Sequence, residues 1–208
     1  MPAKALGAAK SRLLPHLGRD AVARLALAML GDLLATLGQV TALSRVAVVT
    51  PDGELAEAAR RAGAEALLRP DPGLNPAVEA AAAELAPDPA EGALVVLGDV
   101  AGALPEEIEQ LLGAVEGRGV ALAPSSDGGS SALVRLPRDL IPAGFGPGSA
   151  KVHRDLAARA GAPFREVPLP SLAIDVDEPA DLEAFLARPG GGARTRALLR
   201  ELGVGQTR

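Results

Sequence analysis

Helical and strand-like patterns alternate along nearly the whole chain, and this alternation most restricts what it can fold into. The clearest case is "GALVVLGD" (92–99), an apolar run that stops at Gly98 and Asp99. It is followed by "LPEEIEQLLGAVEG" (104–117), where Pro105 leads a helix with apolar residues three and four apart. The pairing recurs. "RDAVARLALAMLGDLLATL" (19–37) reads as a helix with Asp20 as N-cap, and "RVAVVT" (45–50) as a buried strand. "GELAEAARRAG" (53–63) is a helix closed by Gly63, "EALLRP" (65–70) a strand, and "NPAVEAAAAELA" (75–86) a helix with Asn75 as cap and Pro76 at its first position. Further on, "GVALAPS" (119–125), "SALVRLP" (131–137), "FREVPL" (164–169) and "LAIDVD" (172–177) read as strands. "GSAKVHRDLAARAG" (148–161), "EPADLEAFLA" (178–187) and "ARTRALLREL" (193–202) read as helices, the last two flanking the link "RPGGG" (188–192). There is no internal repeat.

This order predicts an α/β chain: a mostly parallel, Rossmann-like sheet with helices on both faces, in a single domain over 1–208. In such sheets ligands bind beyond the carboxyl ends of the strands, so acids that end strands are the first candidates for a site.

Composition removes several functions. Aromatics are nearly absent, with three Phe and no Tyr or Trp, so there are no platforms for stacking single-stranded nucleic acid. A net charge of −5 argues against binding a polyphosphate backbone. No cysteine means no disulfide and no thiolate chemistry, which fits a reducing cytoplasm. No apolar run has the length of a membrane span, and the N-terminus lacks a signal-peptide layout. The expectation is a cytoplasmic protein that binds neither nucleic acid nor membrane. A homodimer stays open.

Three acids stand at strand ends. Asp99 closes "ALVVLGD", and Asp175 and Asp177 lie two residues apart in "LAIDVD". Residues i and i+2 of a strand face the same way, which would set these two carboxylates on one side, about 6–7 Å apart along the strand. Like charges so close need a positive partner, and Mg²⁺, with its preference for oxygen ligands, is the natural one. Asp99 could equally be an N-cap or form a turn after Gly98, Asp177 could cap the helix led by Pro179, and Asp175 could sit on a solvated face. The opening "MPAKALGAAKSRLLP" supplies Lys4, Lys10 and Arg12 in a loop of small residues, suited to a phosphate but without the Gly-x-x-x-x-Gly-Lys-Ser/Thr signature.

Three more loops carry polar groups. "DPGLNPA" (71–77) offers Gly73 and Asn75; the Asn amide can read a base edge or cap its own helix. "SSDGGSSAL" (125–133) is rich in hydroxyls and suits a carboxylate or phosphate, or is a plain turn. "AGFGPGSAKVHRD" (143–155) brings Ser149 to a helix start, an anion site or an N-cap. His16 and His153 have no partners at metal spacing and are assigned structural or surface roles.

Together "PAKALGAAKSRL" (2–13), "PGLNPAV" (72–78), "VVLGDV" (95–100), "GGSSAL" (128–133), "FGPGS" (145–149) and "IDVDEPADL" (174–182) resemble the CofC/FbiD guanylyltransferases of coenzyme F420 biosynthesis, on the nucleotide-diphospho-sugar transferase fold shared with MobA proteins. The stretches run in order across nearly the whole chain. The resemblance implies transfer of GMP from GTP to 2-phospho-L-lactate or phosphoenolpyruvate. It implies Mg²⁺ on Asp99, Asp175 and Asp177, with the acceptor on Ser130 or Ser131, Gly146 and Ser149. It sets Lys4, Lys10 and Arg12 against the triphosphate, and Gly73 and Asn75 near the nucleotide. The implied step is in-line attack of an acceptor phosphate oxygen on the α-phosphorus, with diphosphate leaving and no general base needed. The alternatives are MobA-like transfer to another phosphorylated acceptor and a non-catalytic nucleotide-binding module.

The chain departs from the family in three places. "LGDVAGALP" stands where Pro-Ala-Asp-Leu-Pro is usual, and Ser130 and Ser131 replace a Thr and an Asn. The family also opens with a short apolar strand before its Pro-x-Lys loop, whereas here Met1 directly precedes "PAK". The first strand is therefore expected to be truncated, with Met1 replacing a Val read from an alternative start codon and about 6–8 residues preceding it in the natural product. The intact mass of the protein from its native cell tests this, and a mass matching residues 1–208 would end the idea.

Overall fold

The computed structural model describes residues 1–6, 10–88 and 90–205; Gly7 to Ala9 of the opening loop lie outside the described residues. After a single turn α1 (Leu14–Leu17), the long helix α2 (Arg19–Leu37) leads into β1 (Ala47–Thr50), α3 (Gly53–Arg61), β2 (Glu65–Leu68) and α4 (Leu74–Leu85). Then come β3 (Ala93–Val96), α5 (Pro105–Gly113), β4 (Gly119–Pro124), β5 (Ser130–Leu136), α6 (Ser149–Arg159), β6 (Phe164–Glu166), α7 (Pro179–Ala187) and α8 (Ala193–Glu201). The expected α/β alternation thus runs unbroken from α2 to β4.

The strands form two groups. β1 and β2 pair in parallel, and the other sheet has the order β3-β5-β4-β6. β4 and β6 are parallel, but β5 runs antiparallel to both β3 and β4. The reason is local. Only residues 125–129 join β4 to β5, too few for the crossover a parallel pair requires, so the chain must turn back on itself. Asp127 accepts from the Gly129 amide at 2.9 Å and from the Ser125 hydroxyl, which closes the turn.

Alternate strand residues serve opposite faces, as the pleat requires. Val96, Ala121, Ala123, Ala132 and Val134 pack with Leu33, Ile108 and Leu111 from α2 and α5. Val95, Val120, Leu122 and Leu133 pack with Val78 of α4 and Ala150 and Ala157 of α6. α8 docks on α2 through a buried acid. Asp32 takes the Arg194 and Thr195 amides at 3.0 and 2.8 Å and satisfies the start of α8, whose N-cap Gly192 has no side chain to do it.

Several expectations change. Helix 19–37 has Gly18, not Asp20, as N-cap. Helix α4 starts at Leu74 with Gly73 as N-cap, so Asn75 is inside the helix rather than capping it. Gly73 has φ 95°, a conformation that costs a side-chain-bearing residue energy, which explains why a glycine begins this helix. Most importantly, 172–177 is not a strand of the sheet. It is a loop-like segment held by two backbone bonds, Ser126 N–H to Ala173 C=O at 2.9 Å and Val176 N–H to Asp99 C=O at 3.2 Å.

Met1 to Ala3 lie alongside β1, with Val49 N–H on Met1 C=O and Ala3 N–H on Val49 C=O, both 2.9 Å. A cavity of about 390 Å³ opens beside them between β1 and β3, with Val46, Leu94, Val96 and Val134 in its wall. Among the described residues, no helix is long and apolar enough to cross a membrane.

Candidate active site

The three acids singled out in the sequence come together. Asp99, Asp175 and Asp177 each present an oxygen within 4.8 Å of the other two. Asp99 follows β3, and its backbone carbonyl takes the Val176 amide, which ties the two acidic segments to each other. Val176 is fully buried, so the extended chain turns the side chains flanking it, Asp175 and Asp177, the other way. The alternation expected of a strand thus operates without the strand.

Asp177 does not cap α7. Glu178 is the N-cap, in a reciprocal capping box with Asp181, whose carboxylate accepts from the Glu178 and Asp177 amides at 2.7 and 3.0 Å. The Asp177 carboxylate is left for the cluster. Lys10 enters it from the N-terminal loop, with Nζ 2.7 Å from Asp177 Oδ1 and 3.7 Å from Asp99 Oδ2. Asp99 Oδ1 is buried and, among the described residues, has no hydrogen-bond partner. Asp175 is pushed up to about 6, first by burial and then by the charge of Asp99, with Asp127 and Asp177 adding to it. An unsatisfied buried carboxylate oxygen beside a carboxyl that resists ionising is the signature of missing positive charge. The donor set, all oxygen and all acidic, fits a hard divalent cation.

Two cavities meet at this cluster. One, of about 290 Å³, runs from Met29 and Leu30 of α2 past Thr50, Arg69 and Asp71 to Gly73. The other, of about 540 Å³, is walled by Ser125, Asp127, Ser130, Ser131, Gly146 and Ser149. Lys4, Lys10, Asp99 and Asp177 line both. Gly98 makes the junction tight: a Cβ there would stand 3.1 Å from the Pro2 carbonyl oxygen, so the end of β3 can lie directly against the N-terminal segment that carries Lys4. Asp52 steadies that segment by accepting the Leu6 amide at 2.9 Å while capping α3.

The remaining sequence candidates separate. Arg12 lines the larger cavity, but its exposed guanidinium pairs with Glu178 at 2.5 Å. Gly73 lines the smaller cavity. Asn75 lines neither: its amide clamps Phe145, donating to the carbonyl at 3.0 Å and accepting from the amide N–H at 2.8 Å. Asn75 therefore shapes the loop ahead of Ser149, and no polar atom of it faces the smaller cavity.

Ser130 and Ser149 are buried with their hydroxyl oxygens 3.0 Å apart, and His153 Nδ1 lies 3.0 Å from Ser130 Oγ. The sequence assigned His153 no role here. The signal was its place four residues after Ser149, on the same side of one helix. Asp127, on the wall of the larger cavity, lies in a loop whose hydroxyls are its more visible signal in the sequence.

A Rossmann-like sheet with an acid cluster joining two cavities is an arrangement that can hold a cation between two ligands. The chain superposes on a crystal structure described as a nucleotide-diphospho-sugar transferase from Desulfovibrio desulfuricans, with a TM-score of 0.76, 20% identity, and coverage of 96% of this chain and 92% of that one. More narrowly, this chain belongs to the family described as "Guanylyl transferase CofC like", whose model matches residues 1–207. It is 38% identical to a phosphoenolpyruvate guanylyltransferase from Sphaerobacter thermophilus, over 93% of this chain and 94% of that one. It is 37% identical to a phosphoenolpyruvate guanylyltransferase from Nocardia farcinica, over 96% and 89%.

Proposed function

We propose that this protein joins GMP from GTP to phosphoenolpyruvate, releasing diphosphate, in the cytoplasm. The observation that carries the reading is the acid cluster, with its unpartnered Asp99 oxygen, at the junction of two cavities that share Lys4 and Lys10. The smaller cavity takes the nucleotide, and its apolar α2 wall suits a base while its Lys-bearing end faces the phosphates. The larger takes the phosphorylated acid among the hydroxyls of Ser130, Ser131 and Ser149 and the backbone at Gly146. Family membership and the names of the relatives support guanylyl transfer and phosphoenolpyruvate over 2-phospho-L-lactate as acceptor.

The reaction brings two anions together. An acceptor phosphate oxygen forms a bond to the α-phosphorus of GTP, while the bond from that phosphorus to the bridging oxygen breaks and its electron pair leaves with diphosphate. The nucleophile is already ionised, so no side chain need remove a proton. The protein's task is to hold both substrates in line and offset their charge. Lys4 and Lys10, on the wall common to both cavities, do so from the N-terminal side. Mg²⁺ would be held by Asp99, Asp175 and Asp177, and when bound it supplies positive charge for the reacting phosphates.

Diphosphate release from GTP, measured with phosphoenolpyruvate, with 2-phospho-L-lactate and with neither, each with and without Mg²⁺, tests the reading. Release that needs Mg²⁺ and is fastest with phosphoenolpyruvate is expected. No release with either acceptor would leave a nucleotide-binding module. Asp99→Asn or Asp177→Asn should lower turnover by on the order of 100-fold or more while far-ultraviolet circular dichroism stays unchanged.

A further inference from the structure

The acceptor-side hydroxyls are wired to a buried histidine whose tautomer the fold dictates. His153 is fully buried on α6, with its ring edge-on to Phe145 at a centroid distance of 5.0 Å. Its Nε2 faces the Gly144 amide at 3.0 Å. A backbone N–H can only donate, so Nε2 must offer its lone pair, and the proton of a neutral imidazole is then on Nδ1. Nδ1–H points at Ser130 Oγ, 3.0 Å away, which also lies 3.0 Å from Ser149 Oγ.

The two hydroxyls own two protons, and one lies between them. Because His153 brings its own proton to Ser130, the other hydroxyl proton is unused, and the cavity that both serines line is where it can be offered. In the opposite tautomer, Ser130 would donate to Nδ1 and Ser149 to Ser130. Both protons would be used, and the pair would turn lone pairs toward an incoming anion.

We propose that His153 is a positioning residue that makes the Ser130–Ser149 pair a hydrogen-bond donor toward the anionic group of the phosphorylated acid. This rests on the reading of the larger cavity as the acceptor pocket. The backbone donor that sets the tautomer is itself fixed. A Cβ on Gly144 would meet Val152 Cγ1 at 2.8 Å, so its amide can press closely on α6, and Asn75 clamps the next residue on both its N–H and C=O. Burial, with the charge of Arg135 adding to it, holds the imidazole down at about 4, so it is neutral wherever the enzyme would work. Ser131 Oγ, buried and without a partner among the described residues, lines the same cavity and adds a second unused hydroxyl.

Nitrogen-15 NMR of the full-length protein labelled at histidine reads the tautomer directly, with His16→Gln to assign the two side chains. A proton on Nδ1 of His153 is expected; a proton on Nε2 overturns the proposal. Kinetics then separate positioning from packing. His153→Leu should raise the KM for the acceptor about tenfold, the loss of one hydrogen bond to a charged group, with the KM for GTP unchanged. His153→Asn, whose amide nitrogen can stand where Nδ1 does, should recover most of that loss. An acceptor KM unmoved by His153→Leu, or an equal rise in both KM values, overturns the proposal. If Ser149→Ala raises the acceptor KM while His153→Leu does not, the pocket stands and His153 is only packing. If neither variant moves it, the acceptor pocket itself is misplaced and the proposal falls with it. Should His153→Leu fail to fold, the tautomer in the unaltered protein and the KM values of His153→Asn still decide.

Discussion

At the scale of single residues, the acid cluster is held in tension and Lys10 partly relieves it. Asp175 ionises near 6 when folded against an ordinary 3.8, so the folded chain binds its proton more tightly than the unfolded chain does. The stability this contributes is complete below 3.8 and is lost as pH rises through about 6. In chelator, Asp175→Asn should therefore raise the melting temperature near neutral pH, and the advantage should vanish in acid; thermal scans across pH check both halves. Lys10 sits between Asp177 and Asp99, where it helps balance charge and also competes with any cation for the same oxygens. Lys10→Ala should thus tighten divalent-cation binding several-fold while lowering turnover by about tenfold or more, read by calorimetry and by diphosphate release. A variant that lost both would mean that Lys10 builds the site rather than sharing it.

At the scale of elements, function depends on segments lent by neighbours. The 172–177 segment reads as a strand in sequence because Leu172, Ile174 and Val176 alternate with smaller or polar residues. Only the fold shows it leaning on Asp99 and Ser126 through two backbone bonds instead of joining a sheet ladder. Glu178, in its capping box with Asp181, caps α7 in place of Asp177, and that choice leaves the Asp177 carboxylate to the acid cluster. Asn75 similarly moves from an expected cap to a clamp between α4 and the 143–146 loop. Asn75→Ala should destabilise the protein by about 1–3 kcal/mol, since it removes two hydrogen bonds and leaves the Phe145 backbone unpaired. The same change should raise the KM for the acceptor more than that for GTP, because the loosened loop leads to Ser149. Denaturant titration and steady-state kinetics test the two parts, and an unchanged acceptor KM would detach the loop from the acceptor.

At the scale of the whole molecule, the site exists only because distant parts of the chain converge. Lys10, Asp99 and Asp177 are separated by most of the sequence, yet both carboxylates lie within ion-pair range of the Lys10 ammonium. A cation that binds there binds only the folded state. At a concentration about 100-fold above its dissociation constant, Mg²⁺ should stabilise the protein by about 2.7 kcal/mol, visible as a rise in melting temperature. Asp99→Asn should abolish that rise. An equal rise in wild type and variant would assign the effect to ions elsewhere on the surface.

What the sequence determined by itself is what local pattern and short connections encode. The alternation of periods gave an α/β chain, and Asp99, Asp175 and Asp177 could be singled out because acids interrupt apolar runs at places where such folds bind ligands. The five residues 126–130 between the strands read at 119–125 and 131–137 are too few for a crossover and require an antiparallel return, although the alternation pointed to a mostly parallel sheet. Tertiary structure alone decided which hydrogen-bonding groups find each other. The tautomer of His153 depends on one amide of Gly144, the cap of α8 on Asp32 from a helix far back in the chain, and the use of Asn75 on a backbone seventy positions away. A hydrogen bond is specified by the position of both partners, and pattern along a single segment carries only one of them.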